Sequence, residues 1–136
     1  MHLMQHISFN GKCAEAFRFY EKCLNAKLET IMTNGESPMA DQLPAEWHDR
    51  VLHAALKVNG AVLMGADAPP DHYKQPSGFS VAIQLEDTAE AERIFAALSE
   101  AGTITMPLQA TFWAERFGML VDKFGIPWMI NCSKPA

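Results

Sequence analysis

Cysteine is scarce in this 136-residue chain: Cys13, Cys23 and Cys132 are odd in number and scattered. That excludes a disulfide framework, and the lack of any C-x-x-C argues against a zinc module or thioredoxin-like chemistry. Basic residues are also few, 11 Lys and Arg against 16 Asp and Glu, for a formal charge of −5. No cluster of positive charge is left to track a nucleic-acid backbone or an anionic bilayer, so neither is expected as a partner. No apolar run approaches the ~18 residues of a membrane span. Met1 to Asn10 carry no positive n-region, long apolar stretch or small-residue cleavage site, so no secretory leader is expected. None of the eight glycines stands as G-x-G. A nucleotide-type loop opening a helix is therefore missing, and with it the doubly wound cradle for S-adenosylmethionine; no cofactor is expected. Together these absences point to a cytoplasmic protein with reduced thiols.

What is present is a folding composition. Hydrophobic residues make up 49% and charged residues 20%, and a chain of this length buries roughly two-thirds of its unfolded surface. One domain over residues 1–136 is expected, built from internal repeats at about 1–67 and 77–132. The repeat shows in Ala14-Glu15-Ala16-Phe17-Arg18-Phe19-Tyr20 against Ala89-Glu90-Ala91-Glu92-Arg93-Ile94-Phe95, identical at four of seven positions with an offset of 75 residues.

Each copy reads as an amphipathic helix, with Cys13, Ala16, Phe17, Tyr20 and Leu24 in the first and Ala91, Ile94, Phe95, Leu98 and Ala101 in the second. Asn10 with Gly11 opens the first, Asp87 and Thr88 offer cap oxygens to the second, and Gly102 stands where a C-cap glycine would end it. Phe79, Val81, Ile83 and Leu85 alternate with Ser80, Ala82, Gln84 and Glu86, as in a strand packed on one face. Val51 to Val58, Asn59-Gly60 and Ala61 to Ala66 read as a hairpin, and Arg116 to Lys123, Phe124-Gly125 and Ile126 to Cys132 as its counterpart. Lys27 to Thr33 and Thr103 to Leu108 fill the remaining strand slots. Pro127 inside the last strand predicts an edge or a bulge. The stretches 34–50 and 68–78 are long linkers of the kind that are often functional or mobile.

Strand, helix and three strands, given twice, define an α+β fold. Ile7-Ser8-Phe9-Asn10-Gly11 with Cys13 and Tyr20, the stretch from His53 to Asp67, Ser77-Gly78-Phe79, Phe112-Trp113-Ala114-Glu115-Arg116-Phe117-Gly118 and Asp122-Lys123-Phe124-Gly125-Ile126-Pro127-Trp128-Met129-Ile130-Asn131 resemble the PhnB-like (YjdN-type) branch of the vicinal-oxygen-chelate superfamily, which includes glyoxalases, bleomycin resistance proteins and dihydroxybiphenyl dioxygenases. The resemblance covers nearly the whole chain. It implies curved mixed sheets around a cleft, a small-molecule ligand and a homodimer, with the halves pairing within the chain or across a two-fold.

In metal-using members, strand positions facing the cavity hold His, Glu or Gln around one divalent metal. Carrying that pattern over implies Gln5 and Ser80, related by 75 residues, and Met64 and Met129, related by 65. Two thioethers and a hydroxyl are poor ligands for a hard cation, so no metal is expected. A slip of one residue would bring in His6 for Gln5 and still leave the methionines. Met64, Met129, Val62, Ala82 and Ile7 would form a deformable apolar floor, or simply fill a closed core. Trp113 and Arg116 could grip a planar or anionic molecule; equally, the Trp could pack the core and Arg116 pair with Glu115 or Asp122. His53 could donate to a ligand or serve as a base, although no acid or nucleophile is visible beside it. None of the cysteines has the electropositive company of a reactive thiolate. The ligand-binding set is therefore Gln5, His53, Met64, Ser80, Trp113, Arg116 and Met129. A metal-free small-molecule binder is expected, with catalysis undecided; a divalent-metal-dependent lyase, dioxygenase or thiol transferase is the alternative.

Overall fold

The computed structural model describes residues 1–135. The chain divides into two compact units that part between Gln75 and Pro76, inside the Pro-rich 68–78 linker. The first unit runs β1 (Gln5–Phe9), α1 (Cys13–Cys23), β2 (Lys27–Thr33), β3 (Val51–Val58) and β4 (Ala61–Asp67). Its sheet has the order β1-β4-β3-β2, with β1 parallel to β4 and the other pairs antiparallel. The second unit repeats the plan with β5 (Val81–Leu85), α2 (Thr88–Leu98), β6 (Thr103–Gln109), β7 (Ala114–Val121) and β8 (Pro127–Ser133), in the order β5-β8-β7-β6. Each unit is thus a four-stranded mixed sheet with one long helix, as the α+β reading expects.

The helices form where the apolar spacing places them, and each covers one face of its own sheet. Cys13, Ala16, Phe17, Tyr20 and Cys23 are the buried positions of α1; Ala91, Ile94, Phe95 and Leu98 are those of α2. Phe17 meets Phe9 of β1 edge-on, with ring centroids 6.1 Å apart. Across from α2, Trp128, Ile130 and Cys132 of β8 and Leu120 of β7 are buried. Burial of this size, at about 25 cal/mol per Å², is what holds each helix to its sheet.

Several local expectations are corrected. The first helix is not opened by an Asn10 side chain. Its N-cap, Lys12, makes no side-chain cap bond; instead the Asp67 carboxylate, at the end of β4, accepts from Gly11 N at 2.8 Å and Cys13 N at 3.1 Å. Its other oxygen accepts from Val51 N at 2.8 Å, tying β3 to the same point. A cap supplied from 54 residues away leaves no local signature. Gly102 does not cap α2, because the left-handed residue there is Ala101, with φ 59°. Gly102 is needed because a Cβ on it would lie 2.4 Å from the Val121 carbonyl oxygen. Pro127 is neither on an edge strand nor in a bulge: β8 is central, and Pro127 is its first residue, where a missing N–H is tolerated.

The first hairpin turns at Asn59 and Gly60 with φ of 47° and 89°, the type I′ geometry its dipeptide demands. Between β7 and β8, the buried Asp122 organises the turn. Its Oδ1 accepts from Phe124 N at 2.8 Å and Ile126 N at 3.0 Å, while Oδ2 accepts from the indole of Trp128 at 2.8 Å. The 34–50 stretch is internally bonded, with three single turns of 3-10 helix. Gly35 N donates to His48 O at 3.0 Å, Asn34 Nδ2 to Trp47 O at 3.0 Å, and the Thr33–Glu36 capping box closes its start.

Candidate functional site

In a sheet with a helix on one face, the other face is where chemistry can be displayed, and strand register decides which side chains share it. In the first unit, Ile7, Phe9, Leu63, Ala54 and Leu56 are buried on the helix side. The register places His6 beside Met64, and Met64 beside Ala55, on the helix-free side. Met32 and His53 pair on that same side. Gln5 is the partner of Leu63 and so belongs to the helix-packed side, as does Ile7. Gln5 and Met64 therefore do not share a face, and Ile7 is no part of an exposed floor. Position 6 takes the place expected of position 5.

The cause is a single residue. Three residues, Asn10 to Lys12, join β1 to α1, whereas two, Glu86 and Asp87, join β5 to α2. An offset of 75 that aligns the helices misaligns the strands before them by one. In the second unit Met129 is correspondingly beside Ala82. Ser80 lies two residues earlier, ahead of β5 and outside the paired strand. The equivalent positions of the two units are thus His6 with Met64, and Ala82 with Met129.

The helix-free face of the second unit carries a row that sequence reading did not assemble. Met129 pairs with Met119, and Met119 with Met106, so three methionines run across β8, β7 and β6. The next row has Gln84, Asn131, Phe117 and Gln109. Phe117 meets Trp113 at 5.3 Å between centroids, and Trp113 meets Phe112 at 4.8 Å, both edge-to-face. Trp113 is 48% exposed and Phe112 87%, so this aromatic group is not core. Its signal was present in the alternation Phe117, Met119, Val121, once β7 is read as covered on one side only.

Asn131 Nδ2 donates to Gln84 Oε1 at 2.7 Å, and Gln84 Nε2 donates to Ser133 Oγ. Asn131 Oδ1 is shielded from solvent and accepts no hydrogen bond. An unmet buried acceptor costs about 1–3 kcal/mol, which singles the residue out.

Arg116 is elsewhere. Its register partner is Cys132, on the helix-packed side. Its Nε lies 3.3 Å from Glu92 Oε1 on α2, and Nη1 donates to the Glu115 carbonyl at 2.7 Å. The pairing is with Glu92, not with the Glu115 or Asp122 carboxylates, and the arginine does not join Trp113 in a ligand grip. Burial, reinforced by the Asp67 carboxylate, pushes the Cys13 thiol far above the usual thiol range, and burial, with Glu115, raises Cys132, which disfavours a thiolate at either. No disulfide joins Cys13, Cys23 and Cys132. A hollow of about 330 Å³ lies at the hairpin end of the first sheet, between the α1–β2 turn and the β3–β4 hairpin, and its rim includes the exposed Lys27 and Lys57.

With this geometry in view, comparison with known proteins decides the family. The model for the Glyoxalase/Bleomycin resistance protein/Dioxygenase superfamily matches residues 2–130. The chain belongs to that superfamily. It is 37% identical over 142 residues to protein YjdN of Escherichia coli K12, covering 98% of this chain and 97% of that one. The crystal structure of protein PA1353 from Pseudomonas aeruginosa is similar at 41% identity and a TM-score of 0.91, covering 99% of each chain. A PhnB protein from Bacillus cereus is similar at 25% identity and a TM-score of 0.81, over 98% of this chain and 100% of that one.

The superfamily resemblance implies a divalent metal, and the residues do not fit one. In the first unit the equivalent positions offer an imidazole and a thioether, and in the second a thioether and a methyl group. Hard and borderline cations take carboxylate, imidazole or amide oxygen, and thioethers suit Cu(I). Among the described residues, no group of three or more His, Cys, Asp or Glu is placed to hold an ion. No helix there is long and apolar enough to cross a membrane.

Proposed function

We propose that this superfamily member binds a small molecule on the helix-free faces of its sheets without a hard divalent metal, and acts as a homodimer in the cytoplasm. The observation that carries the reading is the chemistry of the two register pairs, His6 with Met64 in the first unit and Ala82 with Met129 in the second, soft or inert at three of the four positions. The face residues retained from the sequence reading are His53, Met64, Trp113 and Met129, with His6 and Ala82 in place of Gln5 and Ser80. Dimerisation is supported by strand edges: β1, β2, β5 and β6 each have a partner on one side only within their sheets. A cytoplasmic setting is supported by three buried thiols with no disulfide.

Protein purified without chelators tests the reading. Thermal melts with added Mn, Fe, Ni or Zn should show no saturable stabilisation, and a library of uncharged small molecules should yield compounds that raise the melting temperature. Stoichiometric co-purifying metal, removable with loss of stability, would instead establish the metal-dependent lyase, dioxygenase or thiol transferase, which the His6 imidazole alone favours. Light scattering should give twice the chain mass; a monomer at micromolar concentration counts against the dimer.

A further inference from the structure

We infer that the ligand taken by the second unit is an uncharged, flat aromatic molecule carrying an N–H or O–H donor on its edge. This rests on the proposal that the helix-free face binds a small molecule, and it names the chemical class.

Three observations carry it. The first is the lack of positive charge. The central paired positions of that face, Ala82, Gln84, Met129, Asn131, Phe117 and Met119, carry no ionisable group, and the groups at the end of these rows, Glu86 and Glu115, are acidic. The arginine that could have balanced an anion is bound to Glu92 on the other side of the sheet. An anion would leave water for rows that offer no counter-charge and end in carboxylates, which is strongly unfavourable, and the central rows hold no charge to pair with a cation.

The second is the pairing of a methionine row with an aromatic wall. Met106, Met119 and Met129 are adjacent in register, and Phe117, Trp113 and Phe112 form an edge-to-face chain beginning one step along the same strand. Thioether sulfur and ring edges both favour a polarizable π surface over a saturated one. Methionine also adapts its shape, so the class of ligand is set more tightly than its outline.

The third is Asn131. Its amide is oriented by Gln84, and its Oδ1 has no donor. Phe117 stands directly across from it in the register. A ring stacked on Phe117 carries its edge toward that oxygen, and as neighbouring side chains move aside a donor on the edge completes the missing bond.

The experiment uses the whole chain labelled with ¹³C at its methionine methyls, titrated with 2-naphthol, 2-naphthoate and decahydro-2-naphthol. Met39, in the 34–50 loop, serves as internal control. The inference expects 2-naphthol to shift Met119 and Met129 by ring current. Both comparison compounds should bind at least about tenfold more weakly, reflecting the charge and the lost π surface. Trp113→Ala, at an exposed position, should weaken 2-naphthol roughly three- to tenfold while leaving circular dichroism unchanged. If 2-naphthoate or the saturated alcohol binds as well as 2-naphthol with the same shifts, the class is wrong while the face remains a binding site. If none of the three moves any methionine of either helix-free face, the binding proposal fails with it.

Discussion

Replacing Asp122 by Asn should destabilise the second unit through one forced donor–donor contact. Asp122 is 3% exposed, and its carboxylate accepts from the backbone N–H of Phe124 and Ile126 and from the Trp128 indole. An amide of the same shape has one oxygen and one NH₂. Whichever way it is turned, the NH₂ faces at least one buried N–H. Hydrogen bonds to a charged acceptor contribute about 1.5–3 kcal/mol each, so losing the charge and one bond should cost about 2–3 kcal/mol. For a chain of this size that corresponds to a drop in Tm of about 10 °C. Trp128→Phe removes the indole donor and should cost about 1–2 kcal/mol. In the double variant D122N/W128F the costs should fall short of additivity by about 1 kcal/mol, since the NH₂ can then turn toward the vacated side. Urea titrations followed by near-ultraviolet circular dichroism measure all three. A D122N variant within about 0.5 kcal/mol of the native protein would refute the claim that this side chain organises the β7–β8 turn.

Other substitutions separate binding from folding. Asn131→Leu removes the unmet acceptor and should raise stability by about 1 kcal/mol in urea titrations while abolishing 2-naphthol binding; a destabilised variant would contradict the reading of that oxygen. Arg116→Ala breaks an exposed pair with Glu92 and should change stability by less than about 1 kcal/mol. It should leave ligand affinity intact, and calorimetry showing lost affinity would return the arginine to the site. Stability should fall on the alkaline side. Buried Cys13 stays protonated in the fold and Cys132 is raised in the same direction, by burial first, while the unfolded chain ionises above about pH 8.5. Their raised values stabilise the fold fully below that pH, and the contribution is lost above it at up to about 1.4 kcal/mol per pH unit per thiol. Urea titrations between pH 7.5 and 10 should show this slope, shallower in Cys13→Ala.

The secondary structure was legible where local chemistry determines it. Lys27–Thr33 matches the expected strand, and the Asn59-Gly60 turn followed from a dipeptide whose backbone preference needs no tertiary context. The site was legible only in part, because faces are set by register and a one-residue difference reverses them. The repeat was visible in the helices, and its offset was carried back across connections of unequal length. Carried onto the strands, that offset puts Gln5 in the place of His6 and Ser80 in that of Ala82. Arg116 belongs with the helix-packed side by the same alternation that puts Phe117, Met119 and Val121 on the other, and grouping it with its aromatic neighbours in sequence hides this. Asp67 escaped notice as a helix cap because its partners lie more than fifty residues away. The methionine row needed two strand registers at once, and no periodicity within one strand reports them.

On the proposed reading, neither the His6–Met64 pair of the first unit nor the Ala82–Met129 pair of the second holds a hard cation. Methyl spectra of ¹³C-methionine protein during titration with Mn²⁺ test it most directly, because a bound paramagnetic ion broadens nearby signals. The account predicts that Met64 and Met129 broaden no more than Met39 at equimolar Mn²⁺. Selective loss of the Met64 and Met129 signals at one equivalent, reversed by a chelator, would contradict it.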